Sequence, residues 1–265
     1  VNAIQPGVAA VTIGTSGAIR VVTDAPKIDP KGRTFTYALD KDHWVVGGPV
    51  NNGGDVFRWA RDNMFDSEKS TAELLGIDSY DLLTEIASKI PAGADGLLFH
   101  PYLGGERAPI WDANARGSFF GLTHNHTRAH MVRAVLEGII FNIYMVSLAL
   151  EEVVGDLSAI QATGGFARSP LWRQMAADIF EQPVTVPTAF ESGALAATVM
   201  AQKALGLIDN LEVIGDMIGE ANTYQPNPEN YDAYRELTPI FIRLSRQLQT
   251  EYKAIADYQR THIEK

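Results

Sequence analysis

Two short turns carry the residue types that hold phosphate. Gly14-Thr15-Ser16-Gly17 interrupts the β-branched run from Val11 to Val22, and Gly164-Gly165 ends "AIQATGG" just ahead of "SPLWRQMAADIF". Glycine lets backbone N–H groups approach an anion, and the Thr15 and Ser16 hydroxyls add neutral donors. In α/β sheets phosphates settle at the carboxyl ends of strands and the N-termini of the following helices, which is where Gly164 and Gly165 fall. Taken together, the turns suggest two jaws around one polyphosphate. Each also has a plain structural reading: an ordinary hairpin turn for the first, and close strand-to-helix packing for the second.

Other chemistries find less support. No G-x-x-x-x-G-K-[ST] occurs, and no G-x-G-x-x-G opens a helix after a strand. Ser16 does not form a nucleophile elbow, because Ala18 replaces the last glycine and the turn joins two strands. His124, His126 and His130 lie close together, but no carboxylate stands at ligand spacing beside them and Thr127 is suited to cap a helix there, so a metal site is not expected. Glu106 and Arg107 could be an acid–base pair, although an ion pair pinning their loop is favoured. Trp59, Trp111 and Trp172 are expected to pack, with Trp172 best placed to border a ligand.

The elements that must position these residues follow from periodicity. The opening stretch from Val8 to Val22 reads as strand, turn, strand, and "RTFTYALD" and "HWVVGGPV" continue in β. "DVFRWARDNMF" and "SYDLLTEIASKI" read as helices, the second capped by Ser79 and stopping before Pro91. "GLLFHPYL" reads as a buried strand, and a long loop, "GGERAPIWDANARGSFFGLTHNH", follows it. Val132, Val135, Leu136, Ile139, Ile140 and Ile143 stand at helical spacing, predicting one long amphipathic helix from Thr127 to Val153. Next come a strand, a helix with Pro170 near its first turn, the strand "VTVP" and the helix "ESGALAATVMAQKAL". That β-α-β-α order predicts an α/β fold with a partly parallel sheet covered by helices. The tail from Asn230 reads as a terminal helix.

Composition narrows the class. With 265 residues and 46% hydrophobic content, one large domain over residues 1–265 is expected. A net charge of -10 without a basic cluster argues against nucleic acid and anionic membranes, and no run reads as long enough to span a bilayer. The absence of cysteine excludes disulfides, thiolate metal sites and a cysteine nucleophile, and fits a cytoplasmic setting. Small-molecule chemistry is the expectation.

The segments "TIGTSGAIR", "GGPVNNGGDVFRW", "YLGGERAPIWDANARGSFFGLTHNHTRAHMVRAVLEG", "ATGGFARSPLWRQMAADIF" and "ESGALAA", in this order, resemble the C-terminal half of the FGGY carbohydrate kinases. The resemblance covers nearly the whole chain. It implies a ribonuclease H-like fold of the actin, Hsp70 and hexokinase type, with ATP and Mg2+ used to phosphorylate a carbohydrate hydroxyl. It sets Thr15, with Gly14, at the β- and γ-phosphates, and Gly165 beside Gly164 near the α-phosphate, while Ser16 remains a cofactor-binding candidate from the hydroxyl chemistry of its turn. Gly54 and Arg58 then line the nucleotide pocket, and Ser169 stands where several members have an adenosine-contacting asparagine.

Within the family the segments look most like the branch acting on D-gluconate to give 6-phosphogluconate, with xylulose the nearest alternative and Arg107 a candidate contact for the acid's carboxylate. The family's catalytic aspartate is expected just upstream of Val1, whereas Asp24 is the first aspartate here and lies past the phosphate turn. No catalytic residue is therefore assigned within the chain. The base and the sugar-binding N-terminal domain are expected outside these residues, and the isolated chain is expected to be inactive. A homodimer is the base-rate expectation for assembly. A non-catalytic, actin-like nucleotide-binding regulator is the reading from another class.

Overall fold

The structure, a computed structural model, describes residues 3–187 and 192–262. In chain order the elements are β1 (Val8–Ile13), β2 (Gly17–Thr23), β3 (Phe35–Ala38), β4 (Trp44–Val50), α1 (Gly54–Asn63), α2 (Asp66–Leu75) and α3 (Ser79–Ser88). There follow β5 (Leu98–His100), β6 (Ser118–Phe120), α4 (Arg128–Val154), β7 (Ala159–Thr163), α5 (Pro170–Phe180), β8 (Val184–Pro187) and α6 (Ser192–Ala204). The chain continues through α7 (Ile214–Met217), β9 (Ala221–Tyr224), α8 (Tyr231–Gln247) and α9 (Gln249–His262). The start of the helix expected at Glu191 lies outside the described residues, and so does Val1, just upstream of which the catalytic aspartate is expected.

One mixed sheet runs in the order β3-β4-β2-β1-β7-β8-β9. β1 and β2 form the expected hairpin, Ile13 pairing with Gly17 across the turn. β7 lies parallel to β1, with Thr12 opposite Thr163, and β8 lies parallel to β7. Helices cover this sheet, so the α/β class read from periodicity holds. β5 and β6 form a separate two-stranded ribbon.

The long helix α4 begins at Arg128, and Thr127 caps it as expected, its backbone N–H donating to Nδ1 of His130 at 3.1 Å. Its predicted amphipathicity does not hold. Val132, Leu136, Ile140, Phe141, Val146 and Leu150 are all buried, and so are the polar His130, Asn142 and Ser147, because the sheet lies on one side and β5, α3, α5 and α8 on the others. By length and composition α4 could cross a bilayer, which corrects the expectation that no segment could, yet it is the core helix. Its Gly138 answers to packing: a Cβ there would stand 2.1 Å from the Phe99 carbonyl of β5.

Other local readings shift. Asp78 caps α3, accepting the Tyr80 N–H at 2.7 Å, and Ser79 is the first helical residue. The predicted strand through Leu103 shortens to β5. The tail is two helices meeting at Leu248, which joins a small cluster with Tyr102 and Tyr252. α2, α7 and β9 have no counterpart in the elements expected from sequence, and neither does β6, which lies inside the stretch expected to be loop.

His100 on β5 is wholly buried, stacked on Phe241 with ring centroids 4.3 Å apart, and its Nε2 lies 3.0 Å from the Phe241 carbonyl. Burial pushes its pKa below the ordinary value, and the hydrogen bond to Phe241 partly opposes this. With the folded value depressed, the unfolded state binds more protons. The His100 contribution is complete above the unfolded value of about 6.5 and is lost as pH falls from there towards the folded value, with a slope of at most about 1.4 kcal/mol per pH unit. Thermal melts from pH 8 to 5 should therefore fall more steeply for the wild type than for His100→Gln. Parallel slopes would refute this.

Candidate functional site

The turn after β1 is built by backbone complementarity with α1. Gly54 N–H donates to the Gly14 carbonyl at 2.7 Å, and Asp55 N–H to the Thr15 carbonyl at 3.2 Å. The Asp55 carboxylate accepts the N–H groups of Gly53 and Val56 at 3.0 and 2.9 Å. The first donors of α1 are thus spent on holding the turn and not on a ligand. No side chain fits at the seam, since a Cβ on Gly53 would stand 2.7 Å from the Ser16 backbone and one on Gly54 2.7 Å from the Gly14 carbonyl.

Parallel pairing of β1 and β7 then brings the second turn alongside, with the Thr12 and Thr163 hydroxyls 3.0 Å apart. Beyond β7 the chain makes a 3-10 turn, Gly165–Arg168, and enters α5 through Pro170. Ser169 caps α5, its Oγ accepting the Trp172 N–H at 3.3 Å. Between the two turns lies a cavity of about 310 Å³. Gly14, Thr15, Gly54, Arg58, Gly165 and Ser169 all line it, so six of the eight residues singled out from sequence converge there. Gly54 lines the cavity with its N–H already given to Gly14, and none of the six is a carboxylate that could serve as the base. That role was expected of an aspartate just upstream of Val1, outside the described residues.

Ser16 and Gly164 do not line the cavity. Ser16 is exposed, and its carbonyl accepts the Gly14 N–H at 2.9 Å, so it closes the hairpin. Gly164 has φ +97°, and a Cβ on it would stand 2.3 Å from the Ile13 carbonyl; close packing of the two strand ends explains that glycine. Gly14 and Gly165 are different in kind. Neither has a positive φ, and a Cβ on either meets nothing within 4 Å. Fold and packing give no reason for glycine at these two positions. The N–H groups of Thr15 and Gly165 have no acceptor among the described residues.

Aromatic rings form one wall. Trp172 stands edge-on to Phe57 and Phe166 at 5.7 and 5.8 Å, and its Nε1 donates to the Leu136 carbonyl at 3.1 Å. It both packs and borders the cavity, as expected. Trp59 and Trp111 instead sit at the surface, Trp111 donating from Nε1 to the Arg33 carbonyl. The sequence reading missed the far wall, made by Asp78, Tyr80, Asp81 and Thr84 at the start of α3. Helical periodicity marked α3, but nothing local showed that it would reach the turns.

Two further expectations change. Glu106 and Arg107 form no ion pair. The Glu106 carboxylate accepts amide N–H groups, while the Arg107 guanidinium donates to the Val50 carbonyl at 3.0 Å and leaves Nε buried with no partner among the described residues. Near the histidines a carboxylate is present after all, because the fold brings Asp95 within 3.0 Å of His130 Nε2. His126 Nε2 lies 3.2 Å from the Asp95 carbonyl, so these rings tie the start of α4 to the segment before β5.

A cavity of this volume with paired open glycines, backbone donors that have no acceptor among the described residues and an aromatic wall suits a nucleotide with its phosphates. The chain is 58% identical to a gluconokinase of Bacillus licheniformis over 98% of its own length and 51% of that protein's. A crystal structure of gluconate kinase from Lactobacillus acidophilus superposes with a TM-score of 0.86 at 45% identity, over 96% of this chain and 50% of that one. A ligand-bound xylulose kinase from the same organism gives the same score, identity and coverage. The chain spans about half the length of the relatives it matches. Residues 9–205 match the C-terminal domain of the FGGY family of carbohydrate kinases, and the chain belongs to that family.

Proposed function

We propose that this chain is the nucleotide-holding domain of an ATP-dependent kinase that phosphorylates D-gluconate to 6-phosphogluconate. The observation that carries the reading is the pair Gly14 and Gly165, which face one cavity with open space where a side chain would stand. The Thr15 and Gly165 N–H groups and the Arg58 guanidinium would receive the phosphates, and Trp172 with Phe57 and Phe166 would border the rest of the nucleotide. In phosphoryl transfer the protein contributes positioning and stabilisation of charge that spreads over phosphoryl oxygens, and fixed backbone donors suit that task.

ATP supplies the phosphoryl group when bound. A sugar hydroxyl oxygen bonds to the γ-phosphorus, the bond to the ADP oxygen breaks, and the hydroxyl proton passes to a base. In this reading the base is an aspartate upstream of Val1, and a preceding domain carries most sugar contacts. Mg2+ would accompany the phosphates. Among the described residues no group of three or more His, Asp or Glu side chains is placed to hold a metal ion by itself, and Mg2+ bound through substrate phosphates commonly keeps several of its waters.

The test is a coupled ADP-release assay on the protein joined to its preceding domain, with Mg2+, ATP and gluconate, xylulose, ribulose or glycerol. Turnover of gluconate is expected. The Lactobacillus acidophilus xylulose kinase, as similar as its gluconate counterpart, makes xylulose the second reading. Turnover of xylulose alone would keep the mechanism and replace the substrate. Tight ATP binding with no turnover of any acceptor would point to a regulator.

A further inference from the structure

We infer that Glu106 is a positioning residue for the phosphate turn: its buried carboxylate fixes the junction between β4 and α1 from which the Gly14–Thr15 turn hangs. The loop around Glu106 closes on itself, Glu106 N–H donating to the Asp112 carbonyl at 2.8 Å and Asp112 N–H returning to Glu106 at 2.9 Å. That closure sends the carboxylate inward, where only 2% of the residue is exposed. Oε1 accepts the N–H groups of Asn51 at 2.5 Å and of Arg107 at 2.8 Å. Oε2 accepts Nδ2 of Asn52 at 2.9 Å and of Asn142 on α4 at 2.7 Å.

Asn52 is held from both sides. Its Nδ2 also donates to the Gly105 carbonyl at 2.7 Å, and its Oδ1 accepts the Gly104 N–H at 3.1 Å. The next residues in the chain are Gly53 and Gly54, which meet the turn backbone to backbone with no space to spare. A displacement of Asn51 and Asn52 is therefore transmitted to Gly14 and Thr15 without slack.

The chemistry at this point is specific to a carboxylate. Four donors converge, and an ionised carboxylate is acceptor-only, whereas glutamine would turn an N–H₂ toward donors. Among the described residues Glu106 forms no salt bridge, the Arg107 guanidinium being turned to Val50; burial raises its pKa, and the four N–H donors oppose that by favouring the ionised form. A buried charge is a costly way to fill space, and an apolar side chain would pack as well. What the carboxylate adds is fixed geometry at the junction. The inference rests on the nucleotide reading of the cavity.

Calorimetric titration of the protein with ADP and with adenosine separates the possibilities, because only ADP carries phosphates to the turn. The wild type should bind ADP more tightly than adenosine. Glu106→Gln should lose about tenfold in ADP affinity, the worth of one charge-assisted hydrogen bond, while adenosine affinity stays unchanged. Asn52→Ala, which leaves three donors on Glu106, should shift ADP alone by a smaller factor, and it decides the matter if Glu106→Gln does not fold. Equal losses for ADP and adenosine, or no loss in either variant, would overturn the positioning role and leave the nucleotide reading standing. A wild type that binds neither ligand would overturn both.

Discussion

Gly14→Ala and Gly165→Ala should each weaken ADP binding by roughly ten- to a hundredfold, since a methyl group at the point of closest approach removes one charge-assisted hydrogen bond to phosphate. Stability should hardly move. A Cβ at either position meets nothing within 4 Å and the backbone is not in the left-handed region, so a change within about 0.5 kcal/mol is expected. Gly164→Ala is the contrasting control, because there the Cβ would stand 2.3 Å from the Ile13 carbonyl at φ +97°. Overpacking of this kind costs about 1–3 kcal/mol, and left-handed strain adds about 1–2 more. Calorimetry with ADP and thermal melts on the three variants read both quantities. If Gly14→Ala and Gly165→Ala bind ADP like the wild type, the open space in front of these glycines is not where phosphate lies.

Glu137→Leu should destabilise the protein by about 3–5 kcal/mol, the usual result of stranding one partner of a buried ion pair. Arg133 Nε donates to Glu137 Oε1 at 2.6 Å, and both side chains are almost fully buried on α4. The Tyr234 hydroxyl donates to the same oxygen at 2.9 Å and accepts from Arg133 Nη2 at 2.9 Å. Gly93 N–H and the Ile90 carbonyl complete the cluster. These contacts fasten α8 and the segment after α3 to the core helix, and α3 forms the far wall of the cavity. Removing Glu137 leaves the Arg133 charge buried without its partner. The double variant Arg133→Met with Glu137→Leu should recover most of the loss, as paired apolar replacements of buried ions do. Urea unfolding measures both. A single-variant loss below about 1 kcal/mol, or no recovery in the double, would show that the cluster is not a coupled pair.

The parts of this protein legible in its sequence are those governed by neighbours along the chain. The β1–β2 hairpin, the Thr127 cap, the length of α4 and the Ser169-Pro170 entry to α5 all follow from turn chemistry, capping and periodicity, which act over a few residues. The ordered segments also sufficed to mark the family. Tertiary structure decided which glycines are open to a ligand. Gly14, Gly164 and Gly165 look alike in a sequence, but only pairing between β1 and β7, joining Thr12 to a residue 151 positions away, sets Gly164 against a backbone and leaves the other two open. It likewise brought Asp78, Tyr80, Asp81 and Thr84 to the cavity, Asp95 to His130, and the distant segments of Asn51–Asn52 and Asn142 to Glu106. Such contacts gain free energy only when distant segments meet and exclude water, so no local pattern of residue types records them.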